Sequence, residues 1–96
     1  MIIEYDLQGS ITRHRGVFDT TGFWCVFEED KEFVGTNLEV SNGWKIYGFG
    51  SFTFFHTDYV AANNVYLALY EALYEALNGR TEISLDNIGH ISRIKE

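Results

Sequence analysis

Ninety-six residues at 46% hydrophobic and 17% aromatic content suit one domain, 1–96, with a single modest core, and exclude a disordered chain. A net charge of −7 argues against nonspecific affinity for nucleic acid or anionic lipid. The lone cysteine, Cys25, leaves no internal disulfide, and no leader pattern or run of about 18–20 apolar residues marks a secreted or membrane-spanning chain. A soluble, cytoplasmic protein is expected.

In chain order, Met1 to Leu7 alternates as a strand, with Ile3, Tyr5 and Leu7 on one face and Glu4 and Asp6 on the other. Gln8 to Gly16 lacks a period, and its Thr-Arg-His-Arg-Gly core reads as an exposed loop or the polar end of a hairpin. Val17-Phe18 resumes a strand before the turn residues Asp19 to Gly22. Phe23 to Glu28 reads as a short strand, Glu29-Asp30-Lys31 as a tight polar connection, and Glu32 to Val40 as the next strand. Asn42-Gly43 then stands between two strand-like runs, the pattern of a type I′ hairpin turn, which predicts that Trp44–Phe49 pairs with Glu32–Val40. Gly48 and Gly50 suggest a bulge or sharp bend. Ser51 to His56 continues extended, with Phe52, Phe54 and Phe55 offering a surface for a helix.

That helix is the surest element. Residues 58 to 78 are dense in Ala, Leu and Glu, with Thr57 or Asp58 as N-cap and Gly79 as the left-handed stop. Val65, Leu69, Ala72, Leu73, Ala76 and Leu77 share one face with Tyr66 at its edge, opposite Asn64, Glu71 and Glu75. Thr81 to Leu85 reads as a strand with Ile83 and Leu85 inward. For the tail, a turn at Asp86–Gly89 with a returning strand His90–Ile94 is favoured over a helix, because Gly89 interrupts the latter. The expected fold is α+β: an antiparallel sheet of about 4–6 strands on one long helix, ending in a short strand or hairpin.

Catalytic signatures are sparse. His14, His56 and His90 are scattered; His56 and Asp58 form the only close His/acid pair, read as a strand end and a helix cap rather than metal ligands. Cys25 lies in the apolar run Phe-Trp-Cys-Val-Phe and reads as an inert thiol. Gly48-Phe49-Gly50-Ser51 lacks the lysine and the helix of a phosphate loop. The aromatic strands lack the basic groove that a stacking platform for single-stranded nucleic acid needs. No metal or cofactor is therefore expected.

The strand with Asp6 (EYDLQGS), the helix opening at Asn63-Asn64, and the strand TEISLD ending at Asp86 together resemble ribonuclease H over most of the chain. That resemblance implies carboxylates at Asp6 and Asp86 holding Mg²⁺ for phosphodiester hydrolysis. Where the family places its helix glutamate this chain has Tyr66 and Leu67; Glu71 lies a turn lower, facing outward.

Charge is the remaining signal. Between Asp19 and Asp86 eleven acids face three bases, a local balance of −8, while Arg13-His14-Arg15, Arg93 and Lys95 gather at the ends. The expectation is a non-enzymatic module whose acidic surface engages a basic protein, with Glu28, Glu29, Asp30, Glu32, Glu71 and Glu75 in contact and Tyr70 and Tyr74 as anchors. Small acidic proteins of this composition include phage inhibitors of nucleic-acid-handling enzymes (anti-restriction and anti-CRISPR proteins) and toxin-immunity proteins; a phage origin puts the protein in the host cytoplasm. The alternatives are the Mg²⁺ nuclease at Asp6 and Asp86, and a homo-oligomer burying surplus aromatics between copies.

Overall fold

The computed structural model describes residues 1–21, 24–34, 39–78 and 82–94, with the side chains of all of these except 34 and 74–78. The elements are β1 (Ile2–Gln8), β2 (Arg13–Asp19), β3 (Cys25–Val34), β4 (Glu39–Gly48), β5 (Phe52–His56), α1 (Tyr59–Asn78), β6 (Glu82–Leu85) and β7 (Gly89–Ile94). The fold is α+β, but its strands make two antiparallel sheets instead of one. A four-stranded sheet runs β2-β1-β7-β6 and a three-stranded sheet β3-β4-β5.

β1 follows the predicted alternation: Ile3, Tyr5 and Leu7 are buried, Glu4 is exposed and Asp6 lies outward. β2 starts at Arg13, inside the segment read as a loop, and pairs Tyr5 with Gly16 and Ile3 with Phe18. The tail is the expected hairpin, Ile83 opposite Ile91, both buried.

α1 begins one residue after Asp58, whose carboxylate accepts the Val60 and Ala61 amides at 3.4 and 3.3 Å while its carbonyl accepts from the Ala62 amide at 3.1 Å. That satisfies orphan donors of the first turn as an N-cap should. Its buried stripe is Ala62, Val65, Ala68, Leu69 and Ala72, with Leu73 and Tyr66 half-buried and Asn64 and Glu71 exposed. Three alanines let the helix axis come close to the strands. The expected positions Ala76 and Leu77, the cap Gly79 and the strand start Thr81 fall outside the described side chains and residues. The core joins this stripe to Ile3, Tyr5, Leu7, Phe18 and Ile91 from one sheet and Ile46, Phe52 and Phe54 from the other.

Between Cys25 and Gly48 the sequence reading is corrected. Glu29-Asp30-Lys31 is no turn but the middle of β3, and the predicted strand 32–40 is split between the end of β3 and the start of β4. Asn42-Gly43 lies inside β4, opposite Lys31 and Asp30. Glycine stands there for space: a Cβ at position 43 would run into the Phe55 ring and come 2.8 Å from the His56 carbonyl oxygen. A strand glycine that admits a close side chain explains the pair as well as a turn does. The connection of the β3–β4 hairpin falls at 35–38, outside the described residues, and a second reversal joins β4 to β5, where Phe49 and Gly50 hold φ of 49° and 77°. A phenylalanine with positive φ is unusual; here its ring stacks on Phe18 at 4.6 Å, 17° from parallel.

Candidate functional site

β3 and β4 pair over ten residues each, from Cys25↔Gly48 to Val34↔Glu39, whereas β5 matches β4 only from Trp44 to Gly48. Half of the β3–β4 ribbon therefore extends past its third strand, in a molecule 45 Å long and 19 Å across its shortest axis. Alternation along β3 sends Phe27 to the helix side, where its ring meets Tyr66 at 5.0 Å and Tyr59 at 5.8 Å. Glu28, Asp30 and Glu32 take the opposite face.

On that face Lys45 stands across from Glu28 and reaches Asp30 Oδ2 at 3.8 Å and Glu32 Oε1 at 3.7 Å. All three groups are about one-third exposed, so each pair contributes at most about 1 kcal/mol. One ammonium among three carboxylates leaves the patch negative. Glu28 accepts a hydrogen bond from the Tyr47 hydroxyl, which holds that phenol above its ordinary pKa. The Lys45 Nζ lies 5.9 Å from the Tyr47 ring centre. Glu29 takes the other face and borders an open groove with Lys31, Asn42, Trp44 and Thr57 beyond the start of α1. Apolar side chains stand at both ends of the ribbon: Trp24 is 56% exposed, Phe33 64% and Val40 56%.

Among the described residues no strand pairs with the edge of β3 opposite β4. Two observations fix which of its backbone groups face outward. The Phe49 amide donates to the Trp24 carbonyl at 3.1 Å, making that a hydrogen-bonded pair, so by alternation Val26, Glu28, Asp30 and Glu32 also bond to β4. Independently, the Phe55 carbonyl turns from β4 to accept the Ser10 amide at 3.4 Å, so its partner Lys45 directs its groups to Glu28. The outward groups thus belong to Cys25, Phe27, Glu29, Lys31 and Phe33. Lys31 N–H is taken by Asp30 Oδ1 at 2.7 Å; among the described residues nothing accepts from the amides of Phe27, Glu29 or Phe33.

The predicted contact residues are thus only partly assembled. Glu28, Asp30 and Glu32 converge, Glu29 lies behind them, and Glu71 is exposed on α1. Tyr70 is half-buried, its hydroxyl 3.0 Å from that of Tyr66 and close to the Cys25 thiol. The Tyr66 bond and partial burial push its pKa to about 12. Tyr70 thus helps seat α1 on β3. The side chains of Tyr74 and Glu75 lie outside the described ones. Sequence reading missed Lys45 and the free edge; the absence of Gly, Pro or Asn from Cys-Val-Phe-Glu-Glu-Asp-Lys-Glu-Phe-Val was the available signal of one unbroken strand.

Elsewhere, Asp6 is gripped by the Arg13 guanidinium through both oxygens (Nη2–Oδ2 2.8 Å), and that bond holds its carboxyl below the ordinary range. Asp86 sits in the β6–β7 turn. Among the described residues no three His, Cys, Asp or Glu side chains converge as metal ligands would. His56 Nδ1 accepts the Asp58 amide at 2.9 Å, and burial pushes the half-buried Cys25 thiol up, away from thiolate reactivity. No described helix is long and apolar enough to cross a membrane. Set against protein-family models, curated proteins and solved structures, the chain matches none.

Proposed function

We infer that this is a non-enzymatic binding module that engages a basic protein through the β3–β4 ribbon, in the manner of an inhibitor of a nucleic-acid-handling enzyme. The observation that carries the reading is the convergence of Glu28, Asp30 and Glu32 around one lysine on a projecting ribbon. Exposed Trp24, Phe33 and Val40 flank them. Negative charge steers a cationic partner and sets its orientation, while the flanking apolar area supplies contact energy. A DNA- or RNA-handling enzyme presents such a cationic surface wherever it binds phosphates. The second copy favoured by an oligomer reading meets like charge on this ribbon.

The test immobilises the protein and a Glu28→Lys/Glu29→Lys/Asp30→Lys variant and identifies what each retains from a host lysate. Basic nucleic-acid-handling proteins held by the first and lost from a folded variant are expected, with retention falling as salt rises. Equal retention by both refutes the assignment.

A further inference from the structure

We propose that the partner docks by strand addition: an extended segment with Lys or Arg alternating with apolar residues pairs antiparallel with the free edge of β3. This rests on the acidic-ribbon reading and specifies its mode. The edge offers the outward groups of Phe27, Glu29 and Phe33, which have no acceptor or donor among the described residues, and main-chain bonding to such an edge is a general source of peptide affinity. The side chains beside it then select the sequence. β3 residues with outward backbone groups carry their side chains on the face where Phe27 meets α1, which by alternation is also that of Glu29, Lys31 and Phe33. In an antiparallel ladder, residues directly opposite share a face. The added strand therefore bonds through residues whose side chains share the face of Phe27, Glu29, Lys31 and Phe33, and those beside Phe27 and Phe33 are apolar. Its intervening residues fall opposite Glu28, Asp30 and Glu32 in the close, non-bonded pairs, and these are Lys or Arg.

Charge complementarity also rejects the obvious competitor, a second copy of β3. Centred on Asp30, an antiparallel β3–β3 pairing sets Glu29 opposite Lys31 twice but lays Glu28, Asp30 and Glu32 against their own duplicates in three like-charge pairs, and like charges directly opposite destabilise a ladder. Unpaired edges are ordinarily guarded. Here the guard is incomplete: Asp30 caps the Lys31 amide alone, and Asp30 is already drawn toward Lys45.

The experiment uses the full chain and three synthetic peptides of alternating lysine and valine: unmodified, N-methylated on the valines, and N-methylated on the lysines. Valine amides are the ones that donate to β3, so valine methylation is expected to weaken binding by at least about tenfold, while lysine methylation leaves it within about threefold. The unmodified peptide should slow hydrogen exchange at the Phe27, Glu29 and Phe33 amides by a similar factor. On the protein side, Glu29→Pro removes an outward donor without touching the β3–β4 ladder and should lower affinity comparably; the methylated peptides decide the matter should that variant misfold. Equal binding of all three peptides overturns strand addition while leaving the acidic-ribbon reading in place. No binding of the unmodified peptide overturns both. A concentration-dependent dimer that protects the same amides without peptide overturns the proposal in favour of self-pairing.

Discussion

Gly43→Ala tests whether Asn42-Gly43 is strand or turn, and does so quantitatively. A Cβ at position 43 would collide with the Phe55 ring, which is 4% exposed and has little room to retreat, and would lie 2.8 Å from the His56 carbonyl oxygen. Overpacking of this kind costs about 1–3 kcal/mol. Replacing glycine by alanine in a strand returns about 0.5–1 kcal/mol of backbone entropy, so a net loss of roughly 1–2 kcal/mol is expected. For a chain of this length that lowers Tm by about 5–15 °C. A type I′ turn also penalises alanine, so the single variant does not discriminate; the coupling does. Phe55→Leu removes the ring atoms that the new methyl meets, so Gly43→Ala should cost about 1 kcal/mol less in that background, the His56 carbonyl accounting for what remains. The measurement is a double-mutant cycle by denaturant unfolding, each variant first checked for an unchanged m-value. A cost that is the same with Phe55 present or absent refutes the strand placement of Gly43.

Asp58→Ala should cost about 1 kcal/mol by equilibrium unfolding, since it removes the acceptor of the Val60 and Ala61 amides, and Asp58→Ser should restore most of it. His14 lies half-buried beside Phe54 at 5.4 Å, where burial lowers its pKa against the opposing pull of Glu32. The unfolded chain therefore takes up a proton first, so stability falls as pH drops below about 6.5; His14→Phe should flatten that limb in pH-dependent melts. Asp6 acts lower: its carboxyl is depressed chiefly by the Arg13 bond, so its contribution is present above about pH 4 and lost as pH falls through the depressed value. Asp6→Asn should remove that acid limb alone. In an ultraviolet titration of the phenols, Tyr70 should ionise near pH 12, and Tyr70→Phe should delete that step.

What the sequence by itself determined is whatever depends on local pattern. The 3.6-residue period of 58–78 and the Asp58 cap needed no partner to be legible, because propensity, capping and the apolar stripe agree. The period-2 alternation of Ile3, Tyr5 and Leu7 and the glycine that bars a C-terminal helix were equally plain. Only tertiary structure decided the rest. Asn42-Gly43 carries the same residues in a turn as in a strand, and it is the ring of Phe55, from a neighbouring strand, that makes it strand. Phe49 takes the turn's positive φ because Phe18, some thirty residues earlier, gives its ring a place to stack. Two sheets form where one was expected because β1 takes β7 as its second neighbour and β2 does not pair with β3, long-range choices with no local signature. The candidate site follows from the same cause. Composition announced an acidic protein, but the placement of Glu28, Asp30 and Glu32 on one face around Lys45, and of β3 at an open edge, arises only when the strands are paired.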